Sequence, residues 1–310
     1  MVGLWFPPLK RLCLIKRLPG SFWSAVGLSF VLVLSSDISS GGAETQRADK
    51  SDYNLFNPVP TALLREMTTD RPDKTESPFT VDAGHFQIEL DLVNYTCERY
   101  SADHHNTQVE SWSVAPVNLK LGLVNHVDFQ LVLQTYNEIR ERNHATGVTQ
   151  HHRGFGDIIP RLKINCWGND GGKTAFGIIP FVKIPTNQGD LGNHAGEGGI
   201  IFPLAVALAR NWDLGVMTEF DFDQDSSGRG YHSEFVNSIT ISHPIVGRLN
   251  GYLEFFSAAS AESDADCIGT VDFGFTYALS ENVQLDTGLN VGITRAWDDL
   301  NPFVGLSVRF

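Results

Sequence analysis

The sequence is poor in cysteine, in positive charge and in long apolar runs. Its 310 residues include 4 cysteines, and 23 Lys and Arg face 36 Asp and Glu, for a formal net charge of −13. So few cysteines do not describe a disulfide framework. The acidic balance argues against a nucleic-acid partner, because phosphate binding needs clustered Lys and Arg. What the chain does have is turn formers, with 29 glycines and 14 prolines beside 42% hydrophobic residues.

One extended apolar region lies near the start of the chain. Basic residues between positions 10 and 17 precede an apolar core over residues 22–34, and small residues follow at 41–43. This order predicts a cleaved secretory signal peptide at residues 1–43. The alternative is a membrane-anchoring helix, but that needs about 20 apolar residues, and serines interrupt this run. Cys13 precedes the apolar core, which excludes the lipidated cysteine of a lipoprotein.

After residue 85 the dominant pattern is alternation with a period of two. From Phe86 to Leu92 every second residue is apolar, and the positions between them are Gln87, Glu89 and Asp91. Such a strand has one apolar and one polar face. The pattern returns eleven more times, the last over residues 303–310. The predicted fold is all-β: an antiparallel transmembrane β-barrel of about 12 strands over residues 83–310, with strands of roughly ten residues plus loops.

The connections between these strands alternate between tight turns and longer polar segments. Short periplasmic turns and long external loops produce this asymmetry in membrane barrels. A soluble β-sandwich is the alternative, since it also alternates but packs its apolar faces together. The predicted external loops lie near residues 97–110, 142–153, 185–196, 224–229, 259–265 and 295–301. Aromatic residues near predicted strand ends, where such barrels carry aromatic girdles, are Trp112, Trp167, Trp212, Tyr231 and Tyr252.

The last strand favours the membrane. Val304, Leu306, Val308 and Phe310 share one of its faces. On a soluble edge strand this apolar row would promote aggregation, whereas it is similar to the C-terminal signal by which the insertion machinery recognises outer-membrane barrels. We therefore predict a bacterial outer-membrane location, with outer-membrane lipid and the barrel insertion machinery as partners, the latter through the strand that ends in Phe310.

Residues 44–82 lack alternation and are rich in Pro, Thr, Asp and Arg. We interpret them as a periplasmic N-terminal arm. The alternative is that they fold into the pore, where their charges would meet a polar lining. The sequence leaves both positions open.

Three motifs carry a family resemblance. They are Asp70–His85 (DRPDKTESPFTVDAGH), Gly154–Asn165 (GFGDIIPRLKIN) and Pro180–Thr186 (PFVKIPT). Together they resemble the transporter family named after the MetA pathway of phenol degradation, over roughly residues 66–310. Family members usually have a glycine soon after the Pro-Thr pair, whereas two residues intervene here before Gly189. The resemblance implies an outer-membrane barrel that acts as a transporter and is associated with aromatic-compound pathways, without identifying phenol as the substrate.

Strand parity predicts which charged residues line the lumen. Acids outnumber bases ten to five on the polar faces when Asp157 and Lys120 are included. Such a surplus favours cations or neutral solutes over anions, unless the charges pair across a blocked interior and only support the fold. The residues expected to line the lumen are Glu89, Asp91, Asp128, Arg161, Lys163, Lys183, Glu219, Asp221, Glu234, Glu254, Asp272, Asp286 and Arg309.

No motif indicates a cofactor or a metal. The pairs His104-His105 and His151-His152 lie in predicted external loops without a recognised ligand spacing. The glycine-rich stretch 189–199 lacks the lysine of a phosphate-binding loop. We interpret all of these as polar loop residues.

Catalysis would need a nucleophile oriented by a base. His232, Ser233 and Asn237 lie close in one strand, but adjacent strand residues point to opposite faces. We therefore predict no enzyme. The predicted function is an outer-membrane channel or transporter for small hydrophilic or aromatic solutes, by passive or facilitated diffusion. The alternative is a sealed barrel with a structural, adhesive or lipid-modifying role.

Overall fold

A computed structural model describes residues 49–98, 106–189, 191–263, 265–296 and 298–310. The predicted signal peptide and the His104-His105 pair lie outside these ranges. The strands are β1 (Phe86–Glu98), β2 (Thr107–Val114), β3 (Val117–Val124), β4 (Val127–Leu133), β5 (Tyr136–Asn143), β6 (Thr149–Gly154), β7 (Ile158–Trp167), β8 (Thr174–Lys183), β9 (Glu197–Ala207), β10 (Asp213–Gln224), β11 (Tyr231–Val246), β12 (Leu249–Ser260), β13 (Ile268–Ser280), β14 (Val283–Gly292) and β15 (Leu300–Arg309). Single 3-10 turns form at Thr61–Leu63 and Ala209–Asn211. Within these ranges, no helix has the length and apolarity that crossing a membrane requires.

Twelve of these strands close into an antiparallel barrel. The order runs from β15 back through β7 to β4, β3 and β1, and pairing of β1 with β15 closes the ring. The predicted twelve-stranded barrel is confirmed. β2, β5 and β6 continue β3, β4 and β7 past interruptions and extend the sheet from the second half of β1. One interruption is at Ala115, whose positive φ of 55° breaks the extended path just before a proline.

The two faces of the barrel have opposite chemistry. Glu89, Glu254 and Asp272 are buried on the inward face, whereas Phe255 and Phe273 are exposed on the outward face. A soluble β-sandwich shows the reverse, because water solvates charges and apolar faces pack together. An outer surface of exposed apolar side chains on a closed ring is the pattern of a barrel in lipid. Lipid requires this closure, since it offers no hydrogen-bond partners to a free strand edge.

The predicted aromatic girdle is correct for most of its members and wrong for one. Trp112, Trp167, Trp212 and Tyr231 are exposed near strand ends. Tyr252 is instead buried. It lies on the inward face of β12 with Glu254, two positions along the strand, because parity rather than closeness to a strand end decides the face.

The cost of a charged substitution on the outward face should depend on its depth in the bilayer. Phe255, in the middle of β12, is 45% exposed, and Tyr231, at the loop end of β11, is 57% exposed. Phe255→Arg is expected to lower the free energy of unfolding in lipid vesicles by roughly 2–4 kcal/mol, and Tyr231→Arg by at most about 1 kcal/mol. Urea titration followed by heat-modifiable gel mobility measures both. Equal costs at the two positions would contradict a lipid-facing surface.

Candidate functional site in the barrel interior

The interior of the barrel holds a segment of its own chain. We call residues 65–82 the strap. Its side chains contact inward-facing residues from both sides of the ring, with Arg71 reaching Asp286 on β14 and Glu76 reaching Arg161 on β7. The arm predicted for residues 44–82 is therefore not a free periplasmic segment over its described part. Paired charges explain this position, since Arg71, Lys74 and Glu76 each pair with an oppositely charged side chain of the wall.

Arg71 joins two carboxylates of the wall, Asp91 and Asp286. Its Nε and Nη2 donate to the Asp286 carboxylate at 3.1 and 2.6 Å, and Nη1 forms an ion pair with Asp91. The guanidinium carbon lies 5.5 Å from the centroid of the Phe303 ring. Gly305 makes room for it, because a Cβ there would lie 2.0 Å from Nη2. Bidentate Arg–carboxylate pairs are among the strongest polar contacts in proteins.

Lys74 and Thr75 dock onto β12 and β13. Both backbone N–H groups donate to the Glu254 carboxylate at 2.8 Å, and the Thr75 hydroxyl donates to it at 2.6 Å. The Lys74 ammonium lies 2.9 Å from Asp272 and 4.6 Å from the centroid of the Phe256 ring. The carboxylates on this wall thus accept the strap's backbone as well as its charges.

Acidic strap residues pair with the basic wall on the other side. Asp70 accepts from Lys163 at 2.5 Å and also contacts Lys120. Glu76 accepts from the Arg161 guanidinium at 2.6 Å. All four side chains of the Asp70–Lys163 and Glu76–Arg161 pairs are buried. The strap therefore matches an acidic wall with cations and a basic wall with acids.

The two ends of the strap, Arg65 and Asp82, are held at the short-turn end of the barrel. Arg65 donates to Asp170, in the β7–β8 turn, at 3.0 Å, and its backbone N–H donates to Asp82 at 2.9 Å. Lys50 lies 3.0 Å from Asp82. Burial acts to raise the pKa of Asp170, but a hydrogen bond from Asn125 and the charge of Arg65 outweigh that effect and lower it. Asp170 is therefore an anionic anchor.

Between Lys74 and the long-loop end of the barrel, the inward face carries an apolar patch that the sequence pattern did not reveal. On each of several neighbouring strands, one apolar side chain occupies a position that the alternation of the strand assigns to the polar, inward face. The apolar patch consists of Ile179, Ile201, Met217, Val236, Phe256, Ala258 and Ile268, with Phe181 and Ala296 packed against it. The strap borders it, since the Glu76 backbone N–H lies 3.4 Å from the Met217 sulfur.

The residues predicted to line the lumen fall into two groups. All of them lie on the inward side of the wall. Those in contact with the strap or with residues it binds are Glu89, Asp91, Asp128, Arg161, Lys163, Glu254, Asp272, Asp286 and Arg309. Those nearer the long loops are Lys183, Glu219, Asp221 and Glu234.

This second group is short of positive charge. Lys183 binds Glu197 and lies 3.8 Å from Asp157. Within the described ranges, no ion pair reaches Asp221 or Glu234. We call this region, above the apolar patch, the acidic vestibule; it comprises Glu219, Asp221, Asp223 and Glu234.

Other candidate residues are not brought together. His232 bonds to Asp225 through Nδ1 at 3.1 Å, while the next residue, Ser233, follows strand parity to the other face. His151 is exposed on β6, 3.9 Å from Glu138. Cys97, Cys166 and Cys267 are free thiols.

Arg71 should be the most costly strap residue to remove. Arg71→Ala leaves Asp91 and Asp286 buried without their cation, and the expected loss in free energy of unfolding is about 3–5 kcal/mol. Arg140→Ala is the control, because Arg140 is exposed and 3.8 Å from Glu110, where a pair contributes at most about 1 kcal/mol. Urea unfolding of both variants in lipid vesicles measures the difference. Similar losses would contradict a strap latched by Arg71.

Comparison with solved structures finds a barrel of similar fold and two less similar barrels. An outer membrane channel from Pseudomonas putida F1 is 13% identical, with 78% of this chain and 100% of that chain covered at a TM-score of 0.58. The NanC porin is 8% identical over 71% of this chain and 98% of its own, at 0.47. The monoaromatic hydrocarbon channel CymD is 9% identical over 73% and 87%, at 0.39. No curated protein matches the chain.

The similarity to the Pseudomonas channel shows a shared fold. A closed barrel with an apolar outer face and a polar interior is a bacterial outer-membrane protein. A family model matches residues 69–310, from the strap to the last strand. The chain belongs to the family described as "Putative MetA-pathway of phenol degradation".

Proposed function

We propose that this protein is an outer-membrane channel for small solutes in which the strap is a movable plug. The observation that carries the proposal is that a separate chain segment, rather than the wall's own side chains, occupies the polar interior. The strap joins β1 only through residues 83–85, and its charged contacts are noncovalent. Eight-stranded barrels are filled by their side chains, and a wider ring leaves space that the strap takes up.

The interior above the strap favours solutes with an apolar part. Lys74 of the strap lies over the Phe256 ring and the Glu76 backbone contacts Met217, so movement of the strap would open the apolar patch to a ring or short hydrocarbon. The vestibule carboxylates next to the patch favour a neutral or cationic polar part. The family's association with phenol degradation and the channel function of the Pseudomonas relative support this reading. The substrate class we propose is small aromatic or hydrophilic solutes, crossing by passive or facilitated diffusion without a cofactor or covalent chemistry.

We propose that assembly in the membrane uses two segments of the chain, a signal peptide and the last strand. We expect removal of residues 1–43 as a signal peptide, and recognition by the insertion machinery of the strand that ends in Phe310. Val304 and Phe310 are exposed on the outward face of that strand, in the alternation such a signal needs.

The second candidate is a sealed barrel. The buried pairs of Arg71, Lys163 and Arg161 favour it, because each connects the strap to the wall without intervening solvent. In that case the strap is a permanent core, and the barrel has a structural, adhesive or lipid-modifying role.

A disulfide staple distinguishes a movable strap from a permanent one. The Thr75 and Ser238 hydroxyl oxygens are 2.7 Å apart, close to the roughly 2.0 Å of an S–S bond. Thr75→Cys with Ser238→Cys, in a background where Cys97, Cys166 and Cys267 are serine, should be closed when oxidised. Reduction should restore single-channel currents in a planar bilayer, with open probability rising at least tenfold.

The control for the staple is the same serine background without the two new cysteines, which should conduct equally in both redox states. Equal currents from the oxidised and reduced staple would show that solutes pass beside a fixed strap. A folded, heat-modifiable barrel without current in either state would support the sealed barrel instead.

The vestibule should set ion preference. Asp221→Asn removes one carboxylate from a region without enough cations, so the cation-to-anion permeability ratio should fall severalfold. Glu281→Gln, at an exposed periplasmic turn outside the vestibule, is the matched control and should leave the ratio unchanged. Reversal potentials in a salt gradient measure both variants. An unchanged ratio in Asp221→Asn would remove the vestibule from the ion path.

A further inference from the structure

The loop end of the β10–β11 hairpin brings three metal-binding side chain types together. Asp223 lies directly opposite His232 in the register, and Asp221 lies opposite Glu234. One ligand atom from each of Asp223, His232 and Glu234 lies within 4.8 Å of the other two. All three side chains are on the inward face, while the intervening Phe222 and Phe235 are exposed outside.

Glu234 is a largely buried residue whose carboxylate lacks a partner within the described ranges. Its residue is 5% exposed, and across the described part of the chain no hydrogen bond or ion pair reaches its side chain. Oδ1 of Asp221, the residue opposite, is also buried without a hydrogen bond. Like charges directly opposite each other in a sheet are unfavourable. Buried carboxylates are normally paired or coordinate a metal, because isolated burial of the charge is costly.

The neighbouring cation does not meet this need. Lys183 already binds Glu197 and Asn193, and it lies 3.8 Å from Asp157. The positive charge of Lys183 near Asp223 and Glu234 is therefore engaged by other residues. A divalent cation would satisfy both carboxylates at once.

His232 is already oriented as a ligand. Its side chain is 12% exposed, and Nδ1 lies 3.1 Å from Oδ1 of Asp225. A carboxylate that accepts from Nδ1–H fixes the tautomer and leaves the Nε2 lone pair for a metal, which is the usual outer-shell arrangement of metal-bound histidine. Asp225 thus has the position of an orienting residue.

A second arrangement of the same histidine is less suited. Asp225, His232 and Glu262 also lie within ligand distance of one another. Glu262, however, accepts a hydrogen bond from the Ser226 backbone N–H at 2.6 Å, and Asp225 is bonded to His232. The inner group, with Glu234, has the unsatisfied carboxylate.

We propose that Asp223, His232 and Glu234 bind a divalent transition-metal ion of the Zn²⁺ or Mn²⁺ type. One imidazole with two carboxylates suits these ions, whereas Ca²⁺ and Mg²⁺ prefer all-oxygen sites. Zn–N and Zn–O bonds of about 2.0–2.2 Å place two ligands of one ion about 3–4 Å apart. Donor atoms within 4.8 Å of one another thus need only small side-chain movements. Water completes the coordination.

The test is isothermal titration of Zn²⁺, Mn²⁺ and Ca²⁺ into the purified chain in detergent micelles after EDTA treatment. We expect one Zn²⁺ per chain, with Mn²⁺ weaker and Ca²⁺ absent. Glu234→Gln and His232→Asn should each weaken Zn²⁺ binding at least tenfold. Asp225→Asn should weaken it by about 10–100-fold through loss of orientation. Heat-modifiable gel mobility verifies that each variant is folded.

His151→Asn is the matched control, because His151 is an exposed histidine near a glutamate, and its loss should leave Zn²⁺ binding unchanged. If Glu234→Gln fails to fold, Asp223→Asn serves in its place. The proposal is overturned if Zn²⁺ binding survives both Glu234→Gln and His232→Asn, if His151→Asn abolishes it, or if Ca²⁺ binds in preference to Zn²⁺. Absence of any Zn²⁺ heat in the folded chain overturns it equally.

Discussion

The need to pair every polar group in a ring surrounded by lipid underlies the rest of this structure. Hydrocarbon cannot hydrogen-bond to a strand edge, so β1 and β15 must meet. Closure turns one face of every strand to lipid and the other to a confined interior. Apolar side chains can occupy the first face at no cost. The second face is polar, and each charge on it needs a partner. The wall supplies some of these partners, such as Glu89 for Lys120, and the strap supplies others, such as those of Asp272 and Asp286.

The strap answers that need at the short-turn end. Arg71 and Lys74 neutralise the acidic wall of Asp91, Asp286 and Asp272, and Asp70 and Glu76 neutralise the opposite basic wall. Within the described ranges, no such segment reaches the vestibule at the other end, which keeps its acidic surplus. Because the eighteen residues of the strap reach only one end of the interior, the barrel has one neutralised end and one anionic end. Both the channel and the metal-binding proposals arise from this asymmetry.

The sequence predicted the barrel because successive residues of each strand face lipid and the polar interior in turn, which produces apolar and polar residues in alternation. The strand count and the inward parity of the charged residues followed directly. The strap's position was not predictable, because Arg71 and Asp286 are 215 residues apart and the segment has no periodicity to relate them. Met217 and Val236 were missed for a different reason. A lone apolar residue at a polar position leaves the pattern of its strand intact, and only the neighbouring strands show that several such residues form a patch.

The partners of Arg71 also define an order of events during biogenesis. Asp91 belongs to β1 and Asp286 to β14, and the strand between them is β15, whose pairing with β1 completes the ring. These two carboxylates are neighbours only across that seam, so an open sheet lacks the site that holds the guanidinium between both of them. We therefore expect the strap to settle fully only after the ring has closed. The contacts of Arg71 with both carboxylates can therefore form only when the wall is complete.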